Sequence, residues 1–504
     1  MKNIRLVSRF VLFLFGIGIL WGITTAQSAE LYVGAKSIDI TPEQSVVLAG
    51  QFHPRPSKGV TYPVTANVIA IEAREGDKPI DAAIIVSIDT VVVRSEALVK
   101  FRETVQTALP DFDIDKVLFS ATHTHAAPVL SKTSYPPVEG TMAPEDYVQF
   151  LCDRLGPGVK SAWESREKCE FSYGLGHAVV AYNRRAVYKD GSAVMYGDTN
   201  TPNFLAIEGV EDHDIGTIFF WRPGADKPMA MIVNVSCPAQ DIESDYYISS
   251  DYWGALRRDL SAEYGEELVT VGLCGAAGDL SPHIRYRAAA DQRMRSLRGL
   301  TGPEEIARRV LHGVDEAYEV VQRDRYSDVP FAHRFSVMEL PKRLVTEEEA
   351  KDCMAQYEAV KNDPNDGRAE WNRRILRRYE EQQKDPHPVF RTPLNVIRLG
   401  DCALCFAQFE VYTDFGIMVK ARSKAIQTFT VQLTGGAQEP MPSEEESPEL
   451  FRDWAAASGG TYLPSRRAVE GGGYGAIIQS NTVGPEGGEV MVEETLKVID
   501  ELWK

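Results

Sequence analysis

Short apolar runs rich in β-branched residues alternate with amphipathic stretches along most of this chain. Residues 31–40, 64–72 and 82–89 predict strands, the first leading into a turn at Thr41-Pro42. Residues 95–109 have helical spacing and residues 116–120 predict the next strand, which makes a strand–helix–strand unit. The segment Thr122-His123-Thr124-His125-Ala126-Ala127-Pro128 then falls just past a strand's C-terminal end. Chemistry in α/β sheets gathers there, because the loops converge while the strands hold them rigid. The layout recurs where residues 229–235 run into Ser236-Cys237-Pro238-Ala239-Gln240, and where residues 268–273 run into CGAAGDLSPH. It recurs again where residues 403–409 run into Glu410. The expected fold is α/β, a mixed β-sheet flanked by helices in a single large domain spanning residues 30–504. A helical insertion at about residues 344–385 is broken at Asn362-Asp363-Pro364, and an acidic surface excursion around EEESPE covers about residues 435–460. No internal repeat is visible.

The first residues change the picture of where the chain works. Lys2, Arg5 and Arg9 precede an apolar run from Phe10 to Ile23, and small residues follow to Ala26 or Ala29. This is the pattern of a signal peptide over residues 1–29. Export to a periplasmic or extracellular location is expected, with a membrane tether if the segment is retained. Hydrophobic residues at 44% and charged residues at 25% match an ordinary globular protein. The net charge of -18 argues against a nucleic-acid partner, which needs a basic footprint. Seven cysteines, an odd number, do not make a disulfide framework. Cys402 and Cys405 sit in the apolar run CALCFAQF, where three-residue spacing on a strand sends them to opposite faces.

Two imidazoles at i and i+2 in an extended segment share one face, so His123 and His125 could divide metal binding and proton handling between them. In GAAGDLSPH, glycines and alanines permit close backbone approach before Asp279, Ser281 and His283. No GxSxG elbow surrounds Ser281, which disfavours a Ser-His-Asp hydrolase of that type.

Taken in order, SIDITP, SATHTHAAP, YNRR, SSDYWGALR, GAAGDLSPH, FEVYTDFG and YLPS followed by GGGYG resemble the neutral/alkaline non-lysosomal ceramidase family from about Leu31 to the C-terminus. The resemblance implies a zinc-dependent hydrolase of amide (N-acyl) bonds. It implies His123, Glu410 and Tyr462 as zinc ligands and His125 as the proton-handling histidine. Arg184 would hold the substrate, Ser281 would act as nucleophile or transition-state stabiliser, and Tyr474 would contact the substrate, with Asp279 and His283 beside it. Where the family has a second zinc histidine before a proline, this chain has Cys237. A thiolate is a good zinc ligand, and Cys237 is expected to fill the place, with His283 as the other candidate. Asp89 could orient one of the histidines. The implied substrate is a small molecule or a lipid, presented at a membrane surface if it is a lipid. Two other readings stand beside this one: a metal-dependent hydrolase of a sugar-derived or other small ester or amide, and a non-catalytic binding protein with a degenerate metal site.

Overall fold

The computed structural model describes residues 28–362, 367–436 and 461–504, with positions 445, 447, 448 and 451 between them. Twelve strands form one branched, mixed sheet. They are β1 (Ser28–Asp39), β2 (Thr65–Glu75), β3 (Lys78–Ile88), β4 (Val117–Ala121), β5 (Glu167–His177) and β6 (Asp214–Trp221). The rest are β7 (Ala230–Val235), β8 (Val269–Cys274), β9 (Asp328–Pro341), β10 (Val389–Leu399), β11 (Cys402–Phe406) and β12 (Gln427–Val431). The order β8-β7-β6-β5-β1-β9-β10-β11-β12 carries a branch at β1, which also pairs with β2, followed by β3 and β4.

Strand alternation explains how this sheet closes over itself. One apolar cluster takes alternate side chains from all twelve strands, among them Val33, Ile71, Ile85, Leu118, Phe220, Ile232, Leu273, Ile397, Leu404 and Phe429. The opposite faces pack on helices. Helices α1 (Ser95–Ala108) and α2 (Pro144–Glu164) cover the β1–β4 side. Helices α3 (Tyr252–Tyr264) and α5 (Gly302–Val321) cover β6 and β7, while α8 (Thr413–Arg422) and α10 (Pro485–Leu502) cover the β9–β11 side. Between α3 and α5 lies α4 (Ala288–Arg298), none of whose residues is buried.

Three parallel pairs matter for function. β3 and β4, β7 and β8, and β11 and β12 are each parallel, and α1, α3 and α8 provide their crossovers. A parallel pair needs such a crossover, so each pair sends both C-terminal ends to the same edge. The expected strand–helix–strand unit is the first of the three.

The expected insertion is a helical hairpin, α6 (Glu347–Val360) and α7 (Arg368–Gln382). Thr346 and Glu349 form a capping box at its start. Cys353 and Ile375 pack with Val345 and Ile478 in a small core of their own. A short helix, α9 (Arg466–Gly471), follows the second described stretch. The expected signal segment lies outside the described residues up to position 27, while Ser28 and Ala29 already pair with Pro330 and Val329 in β1. Most of the acidic excursion also lies outside the described residues. All seven cysteines are free and buried, and Cys402 and Cys405 fall in different apolar clusters on the two faces of β11. Among the described residues no helix is long and apolar enough to cross a membrane.

Candidate active site

The exit of β4 is built from alternating roles. Thr122 donates its hydroxyl to Asp89 at 3.1 Å and Thr124 donates to the Ser249 carbonyl at 2.6 Å. Both threonines are thus pinned, and the histidine that follows each of them turns to the other side. Asp89 orients Thr122 and accepts Arg257 at 2.7 Å and 3.0 Å. It therefore holds this segment through a threonine, not through a histidine as expected. His123 has φ 65, an uncommon conformation for a residue with a Cβ, and its Nδ1 lies 2.6 Å from the Val91 carbonyl. A carbonyl only accepts, so the proton sits on Nδ1 and the Nε2 lone pair is left facing the site.

That Nε2 lies 3.5 Å from the Glu410 carboxylate and 3.3 Å from His125 Nε2. Glu410 arrives beyond β11 in a short parallel pairing with residues 462–463, in register with Tyr462. Gly278 makes this possible, since a Cβ there would sit 2.4 Å from the Glu410 carbonyl. Arg184 is buried and donates to the Gly278 carbonyl at 2.9 Å and to the Tyr462 hydroxyl at 3.1 Å. Burial works against its charge, but Tyr462, Tyr196 and Glu410 together outweigh it and hold the guanidinium well above its ordinary range. Burial and Glu410 push the Tyr462 phenol well up, and Tyr474 up to about 12, so both stay protonated at neutral pH. Tyr474 packs 5.4 Å from the Tyr462 ring. Beyond it stand Phe52 and Trp371 of the helical insertion, their centroids 5.7 Å and 6.2 Å from Tyr474. The insertion thus reaches the site.

On the other side of the site, Ser281, His125 and His283 meet residues that the sequence did not single out. Ser281 is fully buried, and its Oγ meets the Tyr196 hydroxyl at 2.9 Å and the Gln240 side-chain nitrogen at 3.2 Å. It also accepts the His283 backbone N–H at 3.1 Å. Gln240 donates to Tyr196 at 2.6 Å, while its Oε1 is buried without a partner among the described residues. The Glu243 carboxylate stands between two imidazoles, 3.6 Å from His125 Nδ1 and 3.7 Å from His283 Nδ1. Burial raises Glu243 above the usual carboxylate range, and burial, with His123, Arg184 and Arg55 nearby, drives His125 well below 6.5. His125 is packed tightly against Gly50, where a Cβ would approach its ring to 2.5 Å. Gln240 and Glu243 follow the exit of β7, a place the strand pattern marks for chemistry. Tyr196 and Gly50 had no comparable sequence signal.

Two expectations need correction. Cys237 sits in the apolar cluster with Ala239, Tyr252 and Trp253, and its sulfur is directed at the Val180 and Pro238 carbonyls at 3.6 Å each. The backbone leaves β7 with this side chain in the core, and burial with Cys274 nearby keeps the thiol well above its ordinary pKa. It is a packing residue, not a thiolate facing His123. Asp279 accepts Thr413 N at 2.8 Å, Thr413 Oγ1 at 2.7 Å and Asn183 Nδ2 at 2.7 Å. Its oxygens are committed to tying loops together, which leaves it no substrate-binding role. His283 does not take over the ligand place either, because its Nε2 is 3.0 Å from the Asp241 carbonyl and its Nδ1 is turned to Glu243.

Comparison with solved structures places this architecture. Neutral ceramidase from Pseudomonas aeruginosa superposes with a TM-score of 0.63 at 15% identity, over 94% of this chain and 75% of that chain. The fold is that of neutral ceramidase. A second structure, a ceramidase complexed with C2, gives a TM-score of 0.62 at 14% identity with the same coverages. No family model and no curated protein matches the chain.

The resemblance in sequence implies zinc, and the donors can be tested for it. With ligand bonds of about 2.0–2.1 Å, two corners of a tetrahedral zinc site stand about 3.3 Å apart. The 3.5 Å between His123 Nε2 and the Glu410 carboxylate suits that spacing. The set does not close, however. Among the described residues no group of three or more His, Cys, Asp or Glu side chains is arranged to hold a metal ion. The four-ligand set implied by the resemblance therefore does not fit these residues as they stand.

Proposed function

We propose that this chain is a ceramidase-like hydrolase of amide (N-acyl) bonds. The observation that carries the reading is the convergence of His123, His125 and Glu410 with Arg184, Tyr462 and Ser281, drawn from separate strand exits, within a neutral-ceramidase fold. Hydrolysis needs a base for water, donors for the developing oxyanion and an acid for the leaving nitrogen.

His125, kept neutral by its surroundings, supplies the base and then the acid. Arg184 and the protonated Tyr462 phenol are fixed donors for the oxyanion, and being held in place beforehand they need no reorganisation as charge develops. Ser281 fits the stabilising role better than the nucleophilic one. Its oxygen already meets Tyr196, Gln240 and the His283 N–H, with no imidazole nitrogen among these partners to take its proton. Glu243 positions His125 from behind. The steps assigned to these residues do not run through a metal ion.

The test is hydrolysis of matched N-acyl and O-acyl substrates by purified protein, with and without chelator, alongside its zinc content. Turnover of N-acyl substrates supports the reading. No turnover of any member leaves the binding-protein reading, and preference for small sugar-derived esters or amides replaces the lipid amide with a polar substrate.

A further inference from the structure

The segment from Ile284 to Arg298 departs from the rest of the molecule in charge and in the way it is packed. The chain carries a net charge of -18, yet this stretch holds Arg285, Arg287, Arg293, Arg295 and Arg298 against a single acid, Asp291. Its helix, α4, has no buried residue. A surface helix ordinarily turns its apolar stripe to the core and its charges to water. Here the attachment is polar. Asp291 pairs with Arg309 at 2.9 Å, Arg298 pairs with Glu305 at 3.3 Å, and Arg295 faces Asp241. At helical pitch, Ala290, Met294 and Leu297 form one stripe roughly 100° round from those anchors. Met294 is 42% exposed, Leu297 67% and the preceding Tyr286 50%. Arg285, Arg287 and Arg293 are exposed around the stripe and make no ion pair among the described residues.

We propose that α4 is a docking helix for an anionic lipid surface. An interfacial helix needs an apolar stripe to enter the acyl boundary and cationic side chains at its flanks to meet anionic head groups, and α4 presents both outward. Arginine suits this edge, because its stem lies along apolar surface while its head stays wet. A second copy of the chain fits less well. Three such side chains offer a few hundred Å², whereas a stable dimer buries about 800 Å² per partner.

The helix is also tied to the active site. Arg285 donates to the Tyr196 carbonyl at 3.1 Å, and the Tyr196 hydroxyl holds Ser281. Docking through α4 would therefore turn the Ser281 side of the site towards the membrane. This deepens the hydrolase reading by naming where its substrate is met, but surface binding is measurable without turnover.

The experiment is flotation of the purified protein with vesicles of phosphatidylcholine alone or mixed with phosphatidylserine. The wild type should bind the mixed vesicles and not the neutral ones, with binding falling as salt rises. Met294→Ser with Leu297→Ser should weaken binding on the order of a hundredfold, and Arg293→Gln about fivefold. Hydrolysis of a short, soluble substrate should stay unchanged, and since no α4 residue is buried the thermal melt should not move. Wild-type protein that ignores anionic vesicles, or a double variant that binds them as well as wild type, overturns the proposal. A concentration-dependent dimer that the double variant abolishes would overturn it too, in favour of a contact between copies.

Discussion

The exits of β4 and β7 look alike in sequence, each a buried strand running into a short polar cluster, yet they use their residues in opposite ways. At the β4 exit, threonines on alternate positions are tied to Asp89 and Ser249, and the histidines that follow each of them face the site. At the β7 exit, Ser236 turns to Asp212 at 2.9 Å and Cys237 enters the core. The site-facing residues come later, at Gln240 and Glu243. The difference teaches that a strand exit marks a neighbourhood, whereas the hydrogen bonds of the first residues past the strand decide which side chain faces the chemistry.

The sharpest way to break this contrast is to remove the β4 exit's contribution. His123→Ala should lower kcat/KM by roughly a thousandfold or more, because its Nε2 is shared between His125 and Glu410. His125→Ala should abolish turnover while leaving any bound metal in place, and equal metal loss in both variants would show that the two roles are wrongly divided. A pH profile adds to this. His125 is held neutral well below its ordinary value of 6.5, so its basic form persists as pH falls through 6.5, and the acid limb of kcat/KM should lie below that point. An acid limb above 6.5 would remove His125 as the base.

Next in size is Cys237→His. Had the thiol faced the site, histidine would rebuild the family's ligand set. In a cluster with Tyr252, Trp253 and Ala239 the larger polar ring has neither room nor a prepared partner. A loss of about 3 kcal/mol in urea unfolding is expected, with no gain in bound zinc.

How much of this could be read from sequence divides along the same line. The strands at residues 31–40, 64–72, 82–89 and 116–120 and the helix at 95–109 match the structure to within a few residues, because alternation and helical spacing are local signals. Of the three parallel pairs only the first was expected, as the strand–helix–strand unit of residues 82–120. The branching of β1 into three partners was not legible, since nothing local in Ser28–Asp39 announces it. At the site, His123, His125, Arg184, Ser281, Glu410 and Tyr462, far apart in sequence, come together in space. Glu243 and Tyr196 were missed because their roles depend on contacts with His125 and Ser281, far away in sequence. Asp279 was misjudged because a carboxylate beside a glycine turn looks the same whether it binds substrate or ties Thr413 and Asn183 together.

A smaller effect sharpens the β7 side of the comparison. Gln240→Ala removes a donor to both Ser281 and Tyr196 and an unpaired acceptor aimed away from them. A loss of about tenfold in kcat/KM is expected, in line with 1–2 kcal/mol for a hydrogen-bond partner left unpaired. Gln240→Glu should restore the shape but not the donor, so rescue by glutamate would show that the amide N–H groups are dispensable.

The smallest expected effect is that of Cys237→Ala, and it separates the two accounts of this residue. A zinc ligand must be a thiolate, facing the other donors, and its removal would strip metal and activity while leaving the fold intact. A core thiol behaves in the reverse way. The Cys237 sulfur is fully buried, burial with Cys274, Asp251 and Asp241 nearby disfavours its ionisation, and its polar contacts are backbone carbonyls. Alanine leaves a gap the size of one sulfur, and the Tyr252 hydroxyl keeps its 2.8 Å bond to the backbone carbonyl of residue 237. A loss of about 1 kcal/mol in urea unfolding is therefore expected, with zinc content and kcat/KM unchanged. A drop in bound zinc at unaltered stability would return the sulfur to the ligand set, and with it the idea that the β4 and β7 exits do the same work.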